Sequence, residues 1–224
     1  MFEEKCVRIL RLITVLVFAA LAFPEVAWAA APDAAVQQMH VFLKDVHSLK
    51  ADFTQVVLDP NLQQIKQSSG TLAIKRPNRF RWDYMAPNRE IIVADGKRVW
   101  MYDVELQQVT VKTLNGTLAA SPAVLLSGSN DVEQNFVVKD LGSRDGLEWV
   151  GLTPRIKASD FESVKLGFKG SDVATMELRD ALGNLTRISF SHVVINQPIP
   201  DSLFLFTPPP GTDVIGAAGD KPPR

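Results

Sequence analysis

Gly70-Thr71-Leu72-Ala73-Ile74-Lys75, Phe80-Arg81-Trp82-Asp83-Tyr84, Ile91-Ile92-Val93-Ala94-Asp95-Gly96 and Val99-Trp100-Met101-Tyr102 follow one another within little more than thirty residues, and their reading decides the fold. Successive side chains of a strand point to opposite faces, so the rings of Phe80, Trp82 and Tyr84 share one face while Arg81 and Asp83 take the other. A strip of aromatic rings therefore points inward. Asp95-Gly96 between two apolar runs supplies the left-handed backbone that a tight hairpin turn requires. This stretch reads as strand, strand and hairpin.

Outward from it the same period continues. Ala51, Phe53, Gln55 and Val57 alternate with Asp52, Thr54, Val56 and Leu58, as in a strand with both faces partly covered. Further strands are expected over residues 108–114, 135–139, 147–152, 163–168, 174–179, 186–190 and 203–206. Turn residues at Asp145-Gly146, Gly170-Ser171-Asp172 and Gly183-Asn184 separate several of them. Connections of hairpin length predict an antiparallel meander, because parallel strands need helix-length crossovers. One helix opens the domain and one interior interruption is helical. Val36, Met39, Phe42, Leu43 and Val46 recur at spacings of three and four behind Asp33, a residue suited to capping a helix. Ser121-Pro122-Ala123-Val124-Leu125-Leu126-Ser127-Gly128 places a capping serine, a first-turn proline and a terminating glycine around one very short apolar helix.

At 224 residues, 46% hydrophobic and 22% charged, the chain suits one domain with a substantial core. Lys5, Arg8 and Arg11 precede an apolar run over residues 12–23, and Pro24 leads into Ala27-Trp28-Ala29. That three-part pattern is a secretory signal, and the run is shorter than the roughly 20 residues that span a bilayer. The expected organisation is a cleaved signal at 1–29, one domain at 30–215 and a flexible tail at 216–224. Cys6 leaves with the signal, so the mature chain has no thiol for a disulfide, a zinc site or a nucleophile. Cleavage removes three basic and three acidic residues and leaves the net charge at −1. So neutral a chain gives no support to nucleic-acid binding.

Catalytic groups are equally scarce. His40, His47 and His192 have no metal-ligand spacing with one another, and no phosphate-cradling loop or nucleophile elbow occurs. No metal and no cofactor is expected. Carboxylates such as Asp103, Glu105, Asp131 and Glu133 are scattered, and acid–base chemistry between them has no support in their spacing. Arg76, Arg79 and Arg81 fit either a phosphate patch or the solvated face of an aromatic-backed strand; alternation turns Arg79 and Arg81 away from Phe80 and Trp82.

Ile74-Lys75-Arg76-Pro77-Asn78-Arg79-Phe80-Arg81-Trp82 resembles the element of the outer-membrane lipoprotein carrier (LolA) family in which lysine, arginine, proline and asparagine run into an aromatic strand. Ala51-Asp52-Phe53-Thr54-Gln55, Val93-Ala94-Asp95-Gly96-Lys97 before Trp100 and Tyr102, Ser121 to Leu126, and Phe204-Leu205-Phe206-Thr207-Pro208-Pro209 occur in the family's order. The resemblance implies a mainly β fold with a few helices: an incomplete antiparallel β-barrel, a half-barrel, covered by a helical lid. It also implies a periplasmic carrier that is not an enzyme, expected to act as a monomer. Such a carrier takes the acyl chains of lipoproteins from an inner-membrane ABC transporter to an outer-membrane lipoprotein receptor.

On that resemblance Arg76 matches a latch that hydrogen-bonds lid backbone, and Leu125 and Leu126 belong to the lid. Cargo contacts are expected among Phe53, Leu72, Ile74, Phe80, Trp82, Trp100, Leu125, Leu126, Met176 and Phe190, with ordinary core packing as the alternative for any of them. Phe80 has a second placement, because the family's corresponding region resembles a transporter-contact surface near the mouth. Two other functions compete with the carrier. A lipid sensor of the same fold would normally carry a second domain, and a hydrolase would need a nucleophile–base set that is not recognisable here.

Overall fold

The computed structural model describes residues 33–114, 122–128, 132–155 and 161–216. The expected signal, Ser121, and the tail from residue 217 lie outside the described residues. Helix α1, Ala34–Asp45, comes first. Six strands follow: β1 Ser48–Leu58, β2 Gln64–Lys75, β3 Arg79–Ala86, β4 Glu90–Asp95, β5 Arg98–Asp103 and β6 Gln108–Thr113. Two short helices, α2 Pro122–Ser127 and α3 Val132–Asn135, precede β7 Phe136–Arg144, β8 Leu147–Pro154, β9 Phe161–Lys169, β10 Asp172–Asp180 and β11 Leu185–Ile195. A 3₁₀ turn, Asp201–Phe204, and a three-residue strand β12, Asp213–Ile215, complete the described chain.

All twelve strands belong to one sheet, ordered β12-β6-β5-β4-β3-β2-β1-β11-β10-β9-β8-β7. Apart from the edge strand β12, neighbours in sequence pair antiparallel on either side of one long-range joint, β1 with β11, which sets Phe53 opposite Phe190. The edges β12 and β7 do not meet, so the sheet curls without closing: it is an incomplete barrel. Its concave face and the helices enclose the main core, which runs from Ala35, Met39 and Phe42 of α1 through Leu72, Phe80 and Trp82 to Val164, Phe168 and Met176. Two smaller clusters lie on the convex face under the C-terminal segment. Trp100, Tyr102, Val109 and Val111 are covered by Phe206 and Val214, and Ala73 packs with Ile199 and Phe204.

The elements depart from the sequence reading at several points. β2 starts at Gln64, because a run of polar residues alongside β1 extends the hairpin by backbone pairing. In β1, Leu49, Ala51 and Phe53 are buried while Lys50, Asp52 and Thr54 are exposed, and both faces are partly covered only beyond Gln55. α3 was not expected. Residues 203–206 form no strand: Phe204 ends the 3₁₀ turn with its ring buried, and Leu205 stays exposed on chain that crosses the sheet instead of pairing with it. Finally, β12 pairs with β6 in parallel, the exception to the antiparallel rule, because the C-terminal segment returns over the convex face before reaching the edge.

Candidate functional site

Cross-strand register sorts the concave face into rows about 7 Å apart along the strands. One row is Leu49, Ile74, Phe80, Ala94 and Val99; the next is Ala51, Leu72, Trp82, Ile92 and Met101. Both are wholly apolar. The third row reads Phe53, Gly70, Tyr84, Glu90 and Asp103, so polarity changes within one pleat. Gly70 has to be glycine here, since a Cβ would meet the Asp83 carbonyl oxygen at 1.9 Å. Burial, with the nearby Glu90 charge, pushes the Tyr84 phenol above its usual range, although its hydroxyl donates to Gln55 Oε1 at 3.0 Å. The Glu90 carboxyl is likewise raised, chiefly by burial.

Helix α1 crosses the concave side against β7, β8 and β9, and α2 lies against β2 and β3. Arg76, just after β2, joins the two helices. Its Nη1 donates to the carbonyl oxygens of Phe42 at 2.8 Å, Leu43 at 2.7 Å and Val46 at 2.7 Å. Nε and Nη2 donate to the Leu126 carbonyl at 3.2 and 2.9 Å. These oxygens lie at helix C-terminal ends, where carbonyls have no partner within the helix and favour a cation. The guanidinium also stacks over the Phe42 ring at 4.7 Å. Two backbone bonds reinforce the joint, from Arg76 N–H to the His47 carbonyl and from Asn78 N–H to the Ser127 carbonyl, each 2.9 Å. Burial lowers the Arg76 pKa to about 10, which leaves it ionised at neutral pH.

The other end of α1 is held differently from the sequence expectation. Asp33 sits at the cap position with φ 71° and makes no side-chain cap bond. The cap comes from β7: Asp140 Oδ2 accepts the Ala35 N–H at 3.0 Å while Oδ1 accepts the Gly142 N–H at 2.6 Å.

Of the residues singled out from the sequence, Phe53, Leu72, Ile74, Phe80, Trp82, Leu125, Leu126 and Met176 come together in the main core, with Phe190 half-buried against it. Phe80 is fully buried on the concave face and does not stand outward at a mouth. Trp100 is on the convex face, its indole N–H donating to Asp95 Oδ2 at 3.3 Å. The reason is the two-sided apolar character of β5: Val99 and Met101 face in, Trp100 and Tyr102 out, and alternation alone does not say which pair is which. Arg79 pairs with Asp201 at 2.9 Å and Arg81 with Asp83 at 2.8 Å, neither of them in the core. Among the described residues no three metal-binding side chains cluster, and no helix is long and apolar enough to cross a membrane. Sequence reasoning missed Asp140, and the resemblance that made Arg76 a latch on lid backbone left its acceptors, the carbonyls of Phe42, Leu43 and Val46, unnamed. Backbone acceptors carry no side-chain signature, and a cap from a residue over a hundred positions away leaves no local motif.

A curled, open sheet with an apolar concave face, and helices tied together across it by one arginine, defines the class of lidded β half-barrels. The model of the family described as outer membrane lipoprotein carrier protein LolA matches residues 44–207, and the chain belongs to that family. It is 48% identical over 182 residues to an outer-membrane lipoprotein carrier protein of Dechloromonas aromatica (strain RCB), covering 81% of this chain and 88% of that one. With the protein of the same description from Ralstonia nicotianae (strain ATCC BAA-1114 / GMI1000) it shares 42% over 195 residues, covering 84% and 91%. The crystal structure of a LolA superfamily protein from Nitrosomonas europaea superposes with a TM-score of 0.47 at 12% identity, over 78% of this chain and 97% of that one.

Proposed function

We propose that this LolA-family lipoprotein carrier works in the periplasm, without catalytic chemistry. It would take lipoproteins from an inner-membrane ABC transporter and pass them to an outer-membrane receptor, with their acyl chains against the concave face. Arg76 carries the reading. One side chain ties the ends of both covering helices over apolar rows, so its bonds favour a closed state over an open one. The magnitudes suit such a device. Charge-assisted hydrogen bonds contribute about 1.5–3 kcal/mol each, whereas each acyl CH₂ taken from water gains ~0.8 kcal/mol. Several long chains outweigh the latch, yet the latch is strong enough to favour closure when no cargo is present and to help expel cargo at the receptor. Membership of a family whose curated relatives are named lipoprotein carriers supports the same reading.

The deciding experiment mixes the mature protein with spheroplasts that retain newly made lipoproteins and carry a functional transporter. A soluble one-to-one complex in the supernatant is expected; its absence would overturn the carrier reading. Arg76→Leu is expected to load but to deliver poorly to the receptor, and delivery as ready as the wild type's would remove the latch role.

A further inference from the structure

Three tryptophans lie in the described chain, and two have their indole N–H satisfied. Trp100 donates to Asp95 Oδ2 at 3.3 Å and Trp149 to the Arg144 carbonyl at 3.1 Å. Trp82 does not. It is 1% exposed, packed between Phe53, Tyr84 and Phe190 at ring separations of 4.8, 6.3 and 6.3 Å, and its Nε1 is buried with no acceptor. A buried indole N–H normally finds a partner, and leaving one unpaired destabilises the fold, whereas a phenylalanine would fill much of this space without that penalty.

The position of the donor suggests its acceptor. Trp82 stands in the last apolar row, with Leu49, Ile74, Phe80, Ala94 and Val99 on one side and Tyr84, Glu90 and Asp103 on the other. An acyl chain laid along the strands has its methylenes on the apolar side and its oxygen-bearing head at this boundary. An ester carbonyl taken out of water there needs a donor as much as Trp82 needs an acceptor. Tyr84 is already committed to Gln55. We infer that the Trp82 indole N–H donates to the ester carbonyl at the head of a cargo acyl chain, so that the interior distinguishes ester-linked chains from plain hydrocarbon. The inference rests on the carrier reading above and adds a specificity-determining residue to it.

The test compares two soluble lipopeptides, one with an S-diacylglyceryl cysteine and one with the same chains in ether linkage, in competition with a fluorescent apolar probe. Wild type is expected to bind the ester about five- to tenfold more tightly, and Trp82→Phe to bind both alike. Equal binding by the wild type, or a preference retained in Trp82→Phe, overturns the assignment while the carrier reading stands. Failure of both lipopeptides to bind overturns the carrier reading and this inference with it. Should Trp82→Phe not fold, the wild type still decides by NMR. One tryptophan indole resonance is expected to shift downfield with the ester and not with the ether, and the absence of any such difference refutes the proposal.

Discussion

Arg76 and Glu90 are both partly withdrawn from water on the concave side, but they answer burial differently. Arg76 remains ionised because its lowered pKa of about 10 is still far above neutrality, and it has carbonyl partners on two helices. The Glu90 carboxyl is raised, by burial first and by Asp103 as well, with Lys66 opposing. A carboxyl with a folded pKa above its unfolded one holds its proton more tightly when folded. The stability it contributes is complete below the ordinary glutamate range and is lost as pH rises through the raised value. Glu90→Gln keeps a neutral side chain at every pH. It should therefore melt about 1–3 °C above wild type in mildly alkaline solution and level with it in acid. Thermal melts across that range check the sign; a wild type that is the more stable in alkali would contradict it.

At the scale of elements, α1 is fixed at both ends by residues of other elements: Asp140 of β7 at its start and Arg76 at its end. Its periodicity was plain in sequence, since Met39, Phe42, Leu43 and Val46 do face the core. Its cap was not, because Asp33 adopts a left-handed backbone that points its side chain to no helical N–H. Replacing Asp140 with Ala should cost about 1 kcal/mol, the usual worth of a capping oxygen, and Asp33→Ala less than about 0.5 kcal/mol. Urea titrations of the two variants decide between them, and a larger loss at Asp33 would mean that the local motif caps after all.

For the whole molecule, helices and sheet differ in how they are held. The sheet is tied by continuous ladders from β12 to β7, whereas α1 and α2 are linked to each other through one guanidinium. Local opening of the helices should thus cost less than unfolding of the sheet. Arg76→Leu should speed hydrogen exchange in the last turn of α1 and in α2 by tenfold or more, about 1.4 kcal/mol, while β1 and β2 keep their protection. Mass spectrometry of exchanged peptides reads this directly. Uniform acceleration across sheet and helices would show that the chain opens as one unit.

By itself the sequence determined most of the strands, their antiparallel hairpins and the aromatic strip of β3, because side-chain alternation and turn residues act over a few positions; residues 203–206 and β12 escaped it. Gly96 at φ 95° after Asp95, and Asp145 and Gly146 both at positive φ, are turns of the kind their residue types demand. Tertiary structure alone decided that β1 joins β11, that Trp100 faces outward, that Asp140 caps α1, and that Arg76 finds acceptors 30 to 50 residues away on two helices. Each of these depends on which distant surfaces meet, and a strand apolar on both faces, or a carbonyl that every residue carries, gives no local sign of its partner.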